Sequence, residues 1–329
     1  GCLSLQLLQF AGRTCKHRFS YFKFTNKVKM LNQMSQSAGK SRAFSSSACT
    51  SETLSNKITT DNPKLVSEHP KKHVKPMNDT EFGYYLAGLI DGDGHFSKSG
   101  VEIAFHSADH LLAHYIKTRL GHGKISEVKG KNAIVLRFGL DGTKEVITLI
   151  NNKFRTHHRF EQIEKNLFTK PSFSNFCNNL DLSLDKSENL DNYWLSGFSD
   201  ADASFQIKIL KRSLTRTEVR LNYQVDQKYD YLLKLIQKEL GGNIGHRKSQ
   251  DTYYYGSTSF VNAVKVIKYF DKYHLMSTKL ISYLRWRRAY LIIQDRRHLT
   301  PKGLEELAES KSSIAKLEEI RKTYSLEND

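Results

Sequence analysis

The chain has 329 residues, and its 51 lysines and arginines against 34 acidic residues give a formal net charge of +17. Such a charge favours a polyanionic partner, first nucleic acid and second an anionic membrane surface. No run of about 20 uncharged apolar residues occurs, which argues against a membrane span. The four cysteines match neither a zinc-binding spacing nor a disulfide framework, so a reducing compartment is expected.

Residues 1–78 differ in composition from the rest of the chain. They hold 13 Lys and Arg but 3 Asp and Glu, and serine is dense at 35–51. That composition is typical of a mitochondrial transit peptide. The alternatives are translated sequence upstream of the functional module and a disordered basic arm that binds DNA weakly. We predict a disordered basic extension and linker that catalysis does not need, in a mitochondrial protein.

One short stretch occurs twice in the chain. The first copy, residues 86–94, has the sequence LAGLIDGDG, and the second, residues 195–203, has the sequence LSGFSDADA. Each copy places small residues four positions apart, Gly88 and Gly92 in the first, which allows two helices to pack closely. A repeat separated by more than 100 residues predicts two similar domains in one chain.

The first repeat is predicted to span residues 79–168. Asp79 and Thr80 give the N-cap signal of the helix that carries the motif. Alternating apolar residues then predict a half-buried strand, and helical spacing predicts helices. The further predicted elements are a strand at 101–105, a helix at 108–120, a hairpin that turns at 129–132, and helices at 144–152 and 159–167.

The polar segment 169–190 is predicted to be a linker between the repeats. The second repeat, residues 191–298, follows the plan of the first, with Asp191 as the expected N-cap of its motif helix. Its first hairpin is larger and has a basic turn at 211–217. Residues 299–329 are predicted to form a charged helical tail. The further helices predicted in the second repeat are 229–240, 261–270 and 277–295.

This order of elements predicts an α+β protein of two αββαββα repeats related by a pseudo-twofold axis. Two sheets would form a saddle whose symmetry matches that of double-stranded DNA. Arg and Lys can bind guanine and Asn and Gln can bind adenine in the major groove, while basic turns bind phosphates. The alternative is a solvated polar sheet face. The predicted DNA-binding residues are Lys98, Gln206, Lys208, Lys211, Arg212, Arg216, Arg220, Asn222, Gln224, Arg247 and Lys248.

Both copies of the repeated stretch resemble the motif of the LAGLIDADG homing endonucleases, specifically the single-chain type with two motifs. The first copy departs from the family name only at Gly92, which stands for alanine. The second copy has four departures, and both copies keep the second aspartate. The resemblance covers roughly residues 79–298 and adds the family's fold and activity to the expectations from the residues.

The resemblance implies that Asp93 and Asp202 are the metal-binding catalytic acids, with the backbone carbonyl groups of Gly92 and Ala201 as further ligands. Mg²⁺, or another divalent cation, suits few carboxylates completed by water and phosphate oxygens. Without a cation, two adjacent carboxylates would repel each other and shift their pKa values. The alternative is a pair of helix ends without metal. The acids expected to be structural are Asp91 and Asp200.

Other polar residues match the family's active-site pattern. Gln227 resembles the family's glutamine after the second strand, and its expected counterpart in the first repeat is His106. Lys279 resembles the family's basic active-site residue, and its first-repeat equivalent is Arg159 or, alternatively, Lys153. An ordinary surface role is the alternative for each. The differences at His106 and Arg159 bring equal cutting of the two DNA strands into question.

We therefore expect a monomeric, intron-encoded mitochondrial endonuclease that hydrolyses one phosphodiester on each strand of a long DNA site and so promotes intron mobility. One alternative is an RNA maturase that binds its host intron and assists splicing, with or without DNA cleavage. A second alternative is a DNA-binding protein of this fold without cleavage. The presence of both motif acids favours the nuclease.

Overall fold

The structure, a computed structural model, describes residues 65–213 and 217–323. The predicted transit-peptide segment up to residue 64 and the predicted phosphate contact Arg216 lie outside these ranges. Within them, no helix combines the length and the apolar character needed to cross a membrane.

The first repeat begins with the helix that carries the first motif. Its N-cap is Asn78, whose side chain accepts a hydrogen bond from the Glu81 N–H at 2.9 Å, so the cap lies one residue before the predicted Asp79. In chain order the elements are α1 (Asp79–Asp93), β1 (Gly94–Ser97), β2 (Gly100–His106), a 3-10 turn (Ser107–Asp109), α2 (His110–Leu120), β3 (Lys124–Glu127), β4 (Ala133–Arg137), α3 (Leu140–Ile150) and α4 (His157–Leu167).

The predicted linker contains a helix, α5 (Pro171–Leu180), which the polar composition concealed. Proline at its first position favours a helix start, and Phe173 and Cys177 lie four residues apart and are buried. The elements of the second repeat and the tail are α6 (Trp194–Asp202), β5 (Ala203–Lys211), β6 (Thr217–Gln227), α7 (Tyr231–Leu240), β7 (Asn243–Arg247), β8 (Thr252–Ser257), α8 (Phe260–Lys272), α9 (Lys279–Gln294), a 3-10 turn (Arg297–Leu299) and α10 (Pro301–Thr323).

The expected N-cap role of Asp191 is wrong. Helix α6 starts at Trp194, whose N–H donates to the Asn192 side chain at 2.9 Å. Asp191 instead accepts hydrogen bonds from Lys272 at 2.5 Å and Tyr273 at 3.0 Å. The chain is therefore fixed to α8 before the second motif helix begins.

Two four-stranded antiparallel sheets confirm the predicted α+β repeats. The strand orders are β1-β2-β4-β3 and β5-β6-β8-β7, which is the same topology in each repeat. The strand registers also correspond, because Gly94 pairs with Ile103 and Ala203 pairs with Val225, each directly after the second motif acid. Equivalent positions in the two repeats can therefore be assigned from strand pairing.

Helices α1 and α6 pack closely against each other through their glycines. A Cβ atom added to Gly88 would overlap the carbonyl oxygen of Trp194, and one added to Gly197 would overlap that of Tyr85. Both glycines lie in buried helix interiors, where glycine otherwise costs about 1 kcal/mol relative to alanine. The close backbone contact explains why the sequence keeps glycine at both positions.

We expect Gly88→Ala to lower the free energy of unfolding by about 1–3 kcal/mol, because the added methyl group must separate two helix backbones. Gly139→Ala is the matched control, since a Cβ atom at Gly139 meets nothing within 4 Å. Urea denaturation followed by circular dichroism measures both variants. Equal stability of Gly88→Ala and the wild type would show that the helices do not pack as described.

Part of the segment predicted to be a disordered linker is packed against both repeats. Val66 is 4% exposed and forms two hydrogen bonds of 3.0 Å with the side chain of Gln294. Buried Arg287 donates to the carbonyl oxygen of Ser67 at 2.8 Å, and Arg119 donates to that of Pro76 at 2.7 Å. The expectation of disorder throughout 1–78 is therefore wrong for these residues.

Helix α10 packs on the second repeat and is not a solvated tail. Leu307 and Ile314, one on each side of the buried Ser310, are buried. Glu306 accepts hydrogen bonds from Arg297 at 2.9 Å and Arg288 at 3.5 Å. Apolar residues seven positions apart on α10 thus pack against the core.

Candidate active site and nucleic-acid interface

The two motif acids lie where the paired helices end. Helix α1 ends at Asp93 and helix α6 ends at Asp202. The ends are adjacent, because a Cβ atom added to Gly92 would overlap the Cβ atom of Ala201 and lie 3.2 Å from Asp202 Oδ2. Glycine at position 92, the one departure of the first motif, is thus required by the close contact of the two helix ends.

The electrostatic environment of the acids disfavours two bare negative charges. Desolvation raises the pKa of Asp93 to about 7, with repulsion by Asp202 adding to the shift and Lys279 and Arg159 opposing it. Desolvation also raises the pKa of Asp202, against the opposing effects of Lys279 and of a hydrogen bond from Gln227. A divalent cation between these carboxylates would relieve the repulsion that raises the pKa of Asp93.

The first acid of each motif connects the two repeats. Asp91 accepts a hydrogen bond from Nε1 of Trp194 at 2.8 Å, and Asp200 accepts one from the Tyr85 hydroxyl at 2.7 Å. Both acids are buried. Because each bond crosses between α1 and α6, these acids have the structural role expected of them, although the partner side chains were not predicted.

Asp91 and Asp200 also fix the segments that carry the basic residues of the site. Asp91 accepts from the backbone N–H groups of Arg155 at 2.8 Å and Thr156 at 3.1 Å, just before α4. Asp200 accepts from the N–H of Met276 at 2.8 Å and the hydroxyl of Ser277 at 2.5 Å, just before α9. The same motif that supplies each acid thus positions the helix that supplies its basic neighbour.

Arg159 and Lys279 occupy equivalent places beside the two acids. Arg159 donates to the carbonyl oxygens of Ile90 at 3.0 Å and Gly92 at 2.6 Å. Lys279 donates to those of Ser199 at 3.2 Å and Ala201 at 2.5 Å, the matching motif positions. Of the two candidates for the first repeat, Arg159 is therefore the equivalent of Lys279.

Lys153, the alternative, lies elsewhere. Its amino group donates to the carbonyl oxygen of Asn151 at 3.4 Å and lies 5.8 Å from the centre of the Tyr84 ring. Desolvation lowers its pKa. It packs against α1 near the start of that helix, far along the helix from Asp93.

Gln227 contacts one acid directly, donating to Oδ2 of Asp202 at 2.6 Å. The strand registers make Phe105 its equivalent in the first repeat, so the expected match with His106 is wrong by one residue. A shift of one residue along a strand places a side chain on the opposite face of the sheet. The Nδ1 atom of His106 accepts from the Ala108 N–H at 3.1 Å, and its Nε2 atom lies 2.8 Å from the Asn132 amide.

The two acids are consequently inequivalent. The carboxylate of Asp202 accepts a hydrogen bond from Gln227, whereas the side chain of Asp93 forms no hydrogen bond within residues 65–213 and 217–323. Buried Phe105 occupies the position that Gln227 has in the second repeat. The side-chain support of the site thus differs between its two halves.

Predicted DNA-binding residues lie together on the outward face of the second sheet. Cross-strand pairing of Gln206 with Asn222 and of Lys208 with Arg220 places these side chains on one face. Asn222 lies on the same face but is only 4% exposed, and its amide donates to Gln206 and Gln224. The exposed residues among the predicted set are Lys98, Lys208, Lys211, Arg212, Arg220 and Lys248.

Several arginines of this face are paired with acids. Glu218 accepts from Arg220 at 2.5 Å and from Arg212 at 2.6 Å. Asp226 accepts from Arg247 at 2.7 Å. These pairs reduce the positive charge that the face presents and hold the guanidinium groups in defined orientations.

A second group of basic residues was not recognised from the sequence. They line a cleft of about 920 Å³ formed by α2, β3 and the turn between β3 and β4. Within the described ranges none of its lysines forms an ion pair. The only signal in the sequence was the Lys-Gly-Lys turn of the second hairpin. The basic residues that line the cleft are His110, His114, Lys117, Lys124, Lys129 and Lys131.

The twofold arrangement of motif helices, acids and sheets defines a protein of the LAGLIDADG endonuclease class. The family model described as "LAGLIDADG endonuclease" matches residues 195–290. The chain is 55% identical over 318 residues to the Schizosaccharomyces pombe "Uncharacterized cox1 intron-2 37.2 kDa protein", covering 93% of this chain and 96% of that protein. The chain belongs to the LAGLIDADG endonuclease family.

Two further comparisons bear on fold and activity. The solved structure of I-SmaMI, bound to uncleaved DNA target in the presence of calcium ions, matches 71% of this chain and 98% of its own with a TM-score of 0.56 and 22% identity, which shows the fold. The Saccharomyces cerevisiae "Intron-encoded RNA maturase bI4" is 27% identical over 194 residues, covering 56% of this chain and 28% of the maturase.

Proposed function

We propose that the protein is a monomeric homing endonuclease that acts in mitochondria and hydrolyses one phosphodiester on each strand of a double-stranded DNA site, promoting intron mobility. The observation that carries this proposal is the pair of adjacent acids at the ends of α1 and α6, each beside a basic side chain. The name of the Schizosaccharomyces pombe relative, which refers to a cox1 intron, supports the intron-encoded and mitochondrial context.

The donor set fits a hard divalent cation, Mg²⁺ in our proposal, because it consists of oxygen atoms. Asp93 and Asp202 would hold the cation through their carboxylates. The carbonyl oxygens of Gly92 and Ala201 each keep a second lone pair beside the bond from Arg159 or Lys279. Within the described residues no cluster of three or more His, Cys, Asp or Glu side chains forms a metal site. Water and DNA phosphate oxygens would therefore complete the coordination.

A bound divalent cation supplies two effects, polarisation of the scissile phosphate and a lower pKa of the attacking water. Side chains of the protein stabilise charge and position the acids. Arg159 and Lys279 hold positive charges beside the acids, where they stabilise the negative charge that develops on the phosphate. Gln227 fixes one oxygen of Asp202 and so orients its carboxylate. Asp91 and Asp200 keep the basic residues in place through backbone hydrogen bonds.

DNA binding at the outward sheet faces would place the target over the acids. The exposed lysines of the second sheet, Lys208 and Lys211, are proposed to bind phosphates, which give affinity but no sequence preference. Gln206, Gln224 and Arg220 are proposed to contact base edges. Electrophoretic mobility shift with the DNA that flanks the intron insertion point tests this assignment. Arg220→Ala should weaken binding of the specific site by about 1–3 kcal/mol and relax the preference at one base position.

RNA binding is a second candidate function, favoured by the unpaired lysines of the cleft beside β3. Helix α2 contributes His110, His114 and Lys117 to this cleft, and these residues are not among the predicted DNA contacts. Lysines without acidic partners suit a phosphate backbone. The similarity to the RNA maturase bI4 is consistent with host-intron RNA as the ligand.

We expect the triple variant Lys117→Ala, Lys129→Ala, Lys131→Ala to bind host-intron RNA more weakly and to retain DNA binding. The slope of log affinity against log salt concentration should fall by about 2, roughly 0.7 for each lost phosphate contact. Filter binding at several salt concentrations measures this slope. The control Lys165→Ala, Lys268→Ala, Lys316→Ala removes the same charge from exposed positions outside the cleft. Equal RNA affinity of both triple variants would contradict a role of the cleft.

A further inference from the structure

A row of hydrogen-bonded side chains crosses the outward face of the second sheet. The Nδ2 atom of Asn222 donates to Oε1 of Gln206 at 3.3 Å and to Oε1 of Gln224 at 3.2 Å. Nε2 of Gln224 donates to both oxygens of Asp226, at 3.2 and 3.1 Å. Arg247 donates to Oδ1 of Asp226 at 2.7 Å. We call these five residues the amide row.

We propose that Asp226 is a specificity-determining residue that fixes which end of each amide in this row faces a DNA base. Asp226 does so without contacting a base itself, by setting the direction of the hydrogen bonds along the row. The inference rests on the proposed DNA binding of this face and names the residue that controls base preference there.

The direction follows from the chemistry of the groups. An ionised carboxylate only accepts hydrogen bonds, whereas a side-chain amide has a donating and an accepting end. Asp226 therefore requires Gln224 to present its NH₂ group, which leaves Oε1 of Gln224 facing Asn222. Asn222 must then donate, and Gln206 must accept from it. The carboxylate at one end thus decides the orientation of three amides.

Arg247 is a second hydrogen-bond donor to the Asp226 carboxylate. Arg247 carries donors only, so it holds Asp226 in place and cannot reverse the row. The Arg247 guanidinium group in turn lies 4.9 Å from the centre of the Tyr254 ring. Both the charge and the position of the Asp226 carboxylate are therefore supported from the neighbouring strands.

Asn222 has one unpaired polar atom in either direction of the row. Oδ1 of Asn222 has no solvent exposure and no hydrogen-bond partner among the described residues. In the reversed row, Gln206 and Gln224 would donate to this oxygen, and the Nδ2 atom of Asn222 would instead take the buried position without a partner. The reversed row would also turn Oε1 of Gln224 toward the Asp226 carboxylate, so that two acceptors face each other. The repulsion at Asp226 therefore decides the direction.

Substitution of Asp226 by asparagine removes the reason for the observed direction. The amide oxygen of residue 226 can still accept from Arg247, and its NH₂ group can donate to Oε1 of Gln224. Gln224 then donates to the buried oxygen of Asn222, as Gln206 can. Both directions of the row are then allowed, because neither sets two acceptors against each other at residue 226.

A reversed row presents a different pattern to DNA. Each glutamine keeps one free hydrogen and one free lone pair, which in the observed order suit bidentate binding of a base such as adenine. Reversal exchanges donor and acceptor along the groove at Gln206 and Gln224. The base preference should therefore change at the positions that these two residues contact and stay the same elsewhere.

Selection from a library of randomised DNA sites, in EDTA so that binding is read without cleavage, tests the proposal on the full-length protein. Gln206→Ala and Gln224→Ala first identify the base positions that these side chains read. Asp226→Asn should lower the preference for the wild-type base at those positions, by up to about 5- to 150-fold, the size of one bidentate contact. Asp226→Glu keeps an acceptor-only group and should retain the wild-type preference.

Glu218→Gln is the control for loss of negative charge on this face. Glu218 belongs to the same face but to another group of contacts, with Arg212 and Arg220. It should leave the base preference at the positions of Gln206 and Gln224 unchanged, and any change of preference should be confined to the position that Arg220 contacts. Asp226 is half exposed, its side chain being 48% accessible, so its substitution leaves the core intact, and circular dichroism verifies folding.

The outcomes distinguish the proposed DNA binding from the proposed role of Asp226. A wild-type protein that selects no DNA sequence would contradict the proposed function itself. A wild-type protein that selects a site, together with a folded Asp226→Asn variant of unchanged base preference, would overturn the role of Asp226 alone. A uniform change at all positions in Asp226→Asn would also overturn it.

Discussion

Asp93→Asn and Asp202→Asn are each expected to abolish double-strand cleavage while specific DNA binding stays near the wild-type level or becomes tighter. Asparagine keeps the shape of the side chain but loses the charge that would hold the divalent cation. Removal of one of two adjacent carboxylates also lowers the repulsion toward DNA phosphates. Cleavage of supercoiled plasmid carrying the target, followed on a gel with Mg²⁺ and then with Ca²⁺, measures the effect.

The two single variants are expected to differ. Asp202 accepts a hydrogen bond from Gln227, whereas Asp93 has no such partner within the described residues. One variant can therefore retain nicking of a single strand, which appears as open-circular plasmid. Asp141→Asn, an exposed acid in the first turn of α3, is the control and should cut like the wild type. Linear product at the wild-type rate from the double variant would rule out the role of these acids.

Lys279→Met and Arg159→Met are expected to slow cleavage by about 10²- to 10³-fold each, the loss typical for one fixed group that stabilises developing charge. Methionine fills similar space but carries no charge, so the contacts with the Ala201 and Gly92 carbonyl oxygens are lost. Single-turnover cleavage rates at saturating protein measure the chemical step apart from DNA binding.

Two control variants test whether the loss of rate is specific to charges at the site. Lys234→Met removes an exposed lysine that pairs with Asp230 on α7 and should leave the rate unchanged. Arg159→Lys keeps the charge and should retain more activity than Arg159→Met. If both methionine variants cut at the wild-type rate, Arg159 and Lys279 serve the fold and not the reaction.

The pair of motif helices and the repeat plan could be predicted from the sequence because their determinants are local. Small residues four apart, two aspartates at the end of each copy and alternating strands are each contained in short windows. Asp93 and Asp202 follow from the same windows. The structure adds the reason for Gly92, whose missing side chain leaves room for Ala201 in the other repeat.

The features that could not be predicted from the sequence depend on contacts between residues far apart in the chain. The hydrogen bond of Asp91 with Trp194 joins residues 103 positions apart, and no local pattern marks it. The match of His106 with Gln227 was one residue out, because alignment by residue type cannot detect a shift of one residue in a strand. The pairing of Gly94 with Ile103 establishes the correct register. Helix α5 was missed because its two buried residues are isolated in a polar segment.

The ordered part of the N-terminal segment was missed for the same reason. Composition separates residues 1–78 from the rest. Val66 is nevertheless buried, and it forms hydrogen bonds with Gln294, a residue 228 positions away. Composition reports the average tendency of a segment, and a few anchoring contacts can order part of it. A truncation intended to keep the fold should therefore begin before Val66.

Cleavage of a supercoiled plasmid that carries the intron-insertion sequence tests the central proposal most directly. The wild-type protein with Mg²⁺ should convert it to a linear product, and mapping of both ends should locate one broken phosphodiester on each strand within the bound site. EDTA should prevent the reaction and leave DNA binding in place. A plasmid that is bound at this site yet remains supercoiled with Mg²⁺ would contradict the endonuclease assignment.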